Sequence, residues 1–137
     1  MILRMTKRTR SAGKKQLPTE AEIDILGILW NNGPSTVREV HTALRSKGTG
    51  YTTTLKQMQV MTEKGLLTRS ERYRSHLYEA RIPQEKTQRL LAGNLLERAF
   101  DGSAKNLVLG ALSSQPISAA ELAEIREIID KFERGKS

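Results

Sequence analysis

The 137-residue chain contains no cysteine, which excludes disulfides, thiolate metal sites and cysteine nucleophiles and fits a reducing compartment. Histidine is scarce. The two present stand far apart in sequence, and His41 has no second ligand at i+4, so a zinc site has little support and no metal or other cofactor is expected. No glycine-rich phosphate loop of the GxxxxGK type occurs, and no carboxylate pair stands out from the capping and surface acids, which argues against an enzyme. No apolar run approaches the roughly 20 residues needed to span a bilayer, and the N-terminus lacks the apolar core of roughly 7 to 15 residues of a signal peptide. The expectation is a cytoplasmic protein without membrane insertion. Its length suits one ordinary domain or two small ones.

What is present is positive charge, unevenly spread. Residues 1–82 carry 15 Lys+Arg against 7 Asp+Glu, whereas residues 83–137 carry 8 of each, so the whole net charge of +8 sits in the first part. A polyanion partner for one module and a neutral task such as association for the other is the simplest physical reading, although a basic surface also suits an acidic membrane. Residues 1–16 hold Arg4, Lys7, Arg8, Arg10, Lys14 and Lys15 with no acid. They are expected to form a disordered basic arm, with insertion into a minor groove as its functional option.

Thr19 with Glu22 makes a capping box, opening a helix to about Trp30 that buries Ile23, Leu26, Leu29 and Trp30. A second box, Thr36 with Glu39, opens a short helix whose apolar side is Val37, Val40 and Leu44 and which closes at Lys47-Gly48. His41 sits beside that face and is expected to be partly buried and hydrogen-bonded. Gly50 then serves as N-cap of a helix from Tyr51 to Gly65, after a turn of three or four residues. At about 100° per residue, Leu55, Met58, Met61 and Thr62 fall on one side of it and Thr52, Thr53, Lys56, Val60 and Glu63 on the other. The outward face thus begins with two hydroxyls and a lysine at a helix N-terminus, where free backbone N–H groups and the dipole favour phosphate.

Beyond Gly65 the period changes to 2. Leu67 to Glu71 and His76 to Ile82 are expected as two strands, with Arg72, Tyr73, Arg74 and Ser75 at or near the turn. Arg69, Arg72 and Arg74 surround Tyr73, a composition suited to a wing straddling a phosphate backbone, although edge-protecting charge on a solvated hairpin explains it too.

Three helices followed by a basic hairpin predict a winged helix. The strings LPTEAE, ILW, GPSTVREVHTAL, YTTTL, EKGLL and SHLYEA, in this order, resemble the penicillinase repressor family, which includes the methicillin-resistance and copper-transport repressors. The likeness runs from Leu17 to about Ile82 and more weakly to Phe132. It implies a homodimeric transcriptional repressor on double-stranded operator DNA with inverted repeats, often TACA and TGTA halves. It also implies that Thr52 and Thr53 read bases or touch phosphate and that Arg74 is the wing arginine. Lys56 joins them because it shares their face, and Arg69 and Arg72 because they share the hairpin. Many relatives have arginine where this chain has Val60. In relatives answering to β-lactams, an inactivating cut falls between Asn and Phe in a C-terminal helix; the matching place here is Gly110-Ala111, within NLVLGAL, where neither residue type is kept. The resemblance thus implies a membrane-bound sensor metalloprotease as a further partner without supplying its scissile pair.

In the neutral second half, Pro83 is expected to start one helix, Ser103 to about Leu112 a second, and Ser118 with Glu121 a third. Leu91, Leu95, Phe100, Leu107, Leu122, Ile125, Ile129 and Phe132 offer more aliphatic surface than so short a segment encloses, so a two-fold partner should cover it. Folding back on the same chain is the other solution. The expected class is mostly α with a small β-hairpin. Residues 1–16 are the arm, 17–82 a winged helix-turn-helix DNA-binding domain and 83–134 a C-terminal helical dimerisation region. A winged-helix module that docks proteins and has no DNA target is the alternative.

Overall fold

The computed structural model describes residues 17–72 and 75–136. The basic arm and the wing residues Tyr73 and Arg74 lie outside them. Helix α1 spans Glu20–Asn32 and begins with the full capping box: the Thr19 N–H donates to Glu22 Oε1 at 2.9 Å and the Glu22 N–H to Thr19 Oγ1 at 3.1 Å. Helix α2, Val37–Ala43, repeats the device with Thr36 and Glu39. The link to the next helix is longer than the expected short turn. It contains a 3₁₀ turn, Arg45–Lys47, closed by Gly48 at φ 77°, a left-handed position that glycine takes without Cβ strain. Helix α3, Tyr51–Glu63, has Gly50 as N-cap and ends on Gly65 at φ 87°, where the Leu66 N–H returns to the Met61 carbonyl at 2.9 Å.

Strands β1, Leu67–Arg72, and β2, Ser75–Ala80, pair antiparallel, with Leu67 opposite Ala80 and Arg72 opposite Ser75. Arg72 and Ser75 therefore form the last paired rung before the turn, each strand reaching one residue closer to it than expected, and β2 ends at Ala80 rather than Ile82. A further bridge joins Ser35 to Tyr78 through reciprocal N–H donation at 3.0 and 2.8 Å, so the segment between α1 and α2 extends the hairpin sideways.

The core of this region consists of Ile25, Leu26 and Leu29 of α1, Val37, Val40 and Leu44, Met58 and Met61 of α3, and Leu67 and Tyr78 of the hairpin. The buried stripe of α1 is phased differently from expectation. Ile25 is fully buried and Ile23 only half, because the stripe starts at Glu22. That carboxylate lies inward against Lys64, 2.6 Å away, a pairing that makes its burial tolerable. Trp30 is half-buried at the core margin, its Nε1–H donating to the Ile82 carbonyl at 3.1 Å. His41 is half-buried as well, but an edge-on contact with Tyr51 at 5.7 Å takes the place of the expected hydrogen bond.

Helix α4 spans Gln84–Ala99, α5 Ala104–Ser114 and α6 Ala119–Lys136. Asp101 and Gly102, at φ 50° and 79°, terminate α4, and the Gly102 N–H donates to Leu96 O at 2.8 Å. Ser103 caps α5 through the Asn106 N–H, and Ser118 caps α6 through the Glu121 N–H. Ser113 and Ser114 do not stop α5 where the sequence suggested. Their hydroxyls donate back to Leu109 O and Ala111 O inside its last turn. The chain forms two compact units, divided between Leu91 and Ala92 within α4. No helix of the described residues is long and apolar enough to cross a membrane.

Candidate nucleic-acid interface

Helix α3 is held by one side only. Thr54, Met58 and Met61 are fully buried and Leu55 is half-buried, and among the described residues nothing covers the opposite side. Thr52, Thr53, Lys56, Val60 and Glu63 are all exposed there. Gln59 stands on the same face and is exposed too. The sequence reading passed over it, although seven residues from Thr52 is two helical turns and returns to the same side. The N-cap Gly50 has no side chain to satisfy the first N–H groups of α3.

The start of this helix is braced from α2. The Arg38 guanidinium carbon lies 5.2 Å from the centre of the Tyr51 ring, whose other contact is the edge of His41. A cation over an aromatic face is fixed in place while its N–H donors stay available. Nothing in the spacing singles out Arg38, since α2 and α3 meet here only after the intervening turn.

Between α2, α3 and the hairpin runs a groove of about 430 Å³ lined in part by Thr36, Arg38, Tyr51, Gln59, Arg69 and His76. A second recess of about 410 Å³ lies beside Gln59, Glu63 and Arg69. Arg69 thus stands next to the outward face of α3. Arg72 is exposed at the far end of β1 and lines neither recess, and Arg74 lies outside the described residues. Across the hairpin, His76 Nε2 and Glu71 Oε2 are 3.0 Å apart. Among the described residues no cluster of His, Cys, Asp or Glu is arranged to hold a metal ion.

A family model described as "Penicillinase repressor" matches residues 18–131. The chain belongs to the penicillinase repressor family. The penicillinase repressor of Bacillus licheniformis is 22% identical over 125 residues, which span 89% of this chain and 98% of that one. Among solved structures, a MarR family protein from Bacillus stearothermophilus matches 98% of this chain and 86% of its own, with a TM-score of 0.49 and 18% identity. As a member of the penicillinase repressor family the protein is a transcriptional repressor of the winged-helix type, a regulator and not an enzyme.

The second group of expected site residues lies on α4, α5 and α6. Leu95, Ile129 and Phe132 are exposed, Phe132 to 74%, while Leu91, Phe100, Leu107, Leu122 and Ile125 are half-buried. Phe100 is turned onto Gly110, where an added Cβ would stand 3.6 Å from the ring. Leu90, Val108, Leu109 and Ile128 are exposed apolar residues outside the expected dimerisation set. Ile128 completes an i, i+3, i+4, i+7 stripe with Ile125, Ile129 and Phe132, a signal already present in the spacing.

Proposed function

We propose that this repressor is a homodimer that binds an inverted-repeat DNA operator in the cytoplasm, reading it with α3 and straddling it with the hairpin. The observation that carries the reading is the uncovered face of α3, where Thr52, Thr53 and Lys56 stand exposed beside a groove holding Arg38 and Arg69. Backbone N–H groups at the start of α3, together with Lys56, Arg69 and Arg72, supply the phosphate contacts that set register. The threonine hydroxyls and the Gln59 amide supply groups for base edges. Val60, at 38% exposure on the same face, offers an apolar contact for a thymine methyl where many relatives carry arginine. Residues 83–134 bring two copies together, which sets the recognition helices about one DNA turn, or a multiple of it, apart.

Release by a membrane-bound sensor metalloprotease is left out of this reading, because Gly110 and Ala111 stand in α5 where the family's cleaved pair is expected. Gel-shift titrations of the full chain against an operator selected from random duplexes, and against a scrambled duplex, test the proposal. Operator affinity should fall with salt, log K dropping by about 0.9 per phosphate contact per log unit. Equal affinity for both duplexes would defeat the claim of sequence reading. The exposed Val60 also suits a protein-docking module; in that case Lys56→Ala with Arg69→Ala would leave partner capture intact and no specific DNA binding would be seen.

A further inference from the structure

A cavity of about 550 Å³ opens between the first turn of α1, the C-terminal end of α3 and the first turns of α4. Its apolar walls include Leu17, Leu66, Ile82 and Leu90, and its charged groups are Glu22, Lys64 and Lys86. None of its lining residues belongs to the outward face of α3, so the proposed DNA surface leaves it unused. Its volume lies within the range of roughly 300 to 1,000 Å³ typical of small-molecule pockets, which likewise pair apolar walls with a few polar groups.

Charge selects the occupant. The single carboxylate is already engaged, with Glu22 Oε1 accepting the Thr19 N–H at 2.9 Å and Oε2 accepting from Lys64 Nζ at 2.6 Å. Lys64 keeps two of its three ammonium donors, and Lys86 is exposed with no hydrogen-bond or ion-pair partner among the described residues. One cation is left over above hydrocarbon walls.

We infer that this cavity is an effector site for an organic acid with an apolar body, its carboxylate drawn to Lys86 and the free donors of Lys64, its hydrocarbon set against Leu66, Ile82 and Leu90. Lys64 follows α3 directly and Gly65 is its left-handed cap. An anion that competes with Glu22 for Lys64 therefore acts on the last turn of the recognition helix. The effector role rests on the proposed operator binding; the ligand site does not.

Trp30 is the only tryptophan and donates to the carbonyl of Ile82, a lining residue, so its emission reports occupancy. The full chain is titrated with decanoate below its micellar range, with decanol, decyltrimethylammonium and phosphatidylglycerol vesicles as comparison arms. Decanoate should give a saturable one-to-one response at least tenfold tighter than decanol, and neither the cation nor the vesicles should respond. Lys86→Glu should weaken decanoate at least tenfold. Decanoate should also lower operator affinity at least fivefold in the unmodified chain and leave it unchanged in Lys86→Glu. A response shared by all amphiphiles, or one indifferent to Lys86→Glu, would overturn the site. So would dissociation of a dimer over the same titration, which marks a second copy as the occupant. Saturable binding with unaltered operator affinity would overturn the effector role. If the chain binds no operator, the repressor mechanism fails while the fluorescence arm still decides the cavity.

Discussion

The two compact units use the same local devices and reach opposite packing outcomes. In residues 1–91, hydroxyl N-caps set helices whose apolar stripes meet in a core from Ile25 to Tyr78. In residues 92–137, Ser103 and Ser118 cap helices equally well, yet no described residue is fully buried, and Leu109 and Phe132 are 61% and 74% exposed. Capping and periodicity decide where a helix lies in sequence. They do not decide whether its apolar face finds cover, which depends on how much chain is available to provide it.

The contrast breaks first at the proposed dimer face. Ile129→Asp with Phe132→Asp places two charges on the exposed stripe of α6 and should yield monomers by analytical sedimentation. Losing the second recognition helix should then weaken operator binding by about 10²-fold or more. The thermal transition of the winged-helix unit should be unaffected, and a variant that stays dimeric would place the interface elsewhere.

Truncations sharpen the same comparison. Leu26→Ala opens a cavity in a fully buried position and should cost about 2 to 5 kcal/mol, whereas Leu109→Ala should change unfolding of the isolated subunit by about 0.5 kcal/mol or less. Urea titrations at matched protein concentration give both values. A large cost at Leu109 that disappears on dilution would point to cover supplied by a partner.

On the proposed DNA face smaller effects are expected. Lys56→Ala and Arg69→Ala should each weaken operator and scrambled duplex alike and reduce the salt slope by about 1, as loss of one phosphate contact requires. Gln59→Ala should instead relax discrimination at one operator position, at a cost of about 1 to 3 kcal/mol for the preferred base. A uniform loss across all duplexes would reassign Gln59 to the backbone.

Much of this architecture was legible because its causes are local. The boxes at Thr19 and Thr36, the glycine exit at Gly65 and the outward set of Thr52, Thr53 and Lys56 all follow from spacing within about a dozen residues. What stayed hidden is long-range. The phase of α1 depends on Glu22 meeting Lys64, 42 positions away, and the margin role of Trp30 depends on Ile82, 52 positions away. Likewise, Arg38 stands beside the outward face of α3 only because α2 brings it over Tyr51. A glutamate in sequence looks like surface, so the spacing alone puts the stripe through Ile23 instead.

That same ion pair is the mildest point of attack and carries a definite sign. Burial raises the Glu22 carboxyl, but the hydrogen bond from Lys64, the Thr19 N–H and the lysine charge together outweigh it and hold the group below the usual carboxylate range. A carboxyl depressed in the folded state contributes stability fully above its unfolded value, about 4.3, and loses it as pH falls through the lower folded value. Because Lys64 is half open to solvent, Lys64→Ala should cost only about 1 kcal/mol at neutral pH. The gap between that variant and the unmodified chain should narrow as pH falls below the unfolded value and close once Glu22 takes up its proton in the folded state. Urea unfolding at neutral pH and near pH 3 checks the crossover. A gap that persists in acid would mean that the lysine stem stabilises by packing and that its charge contributes little.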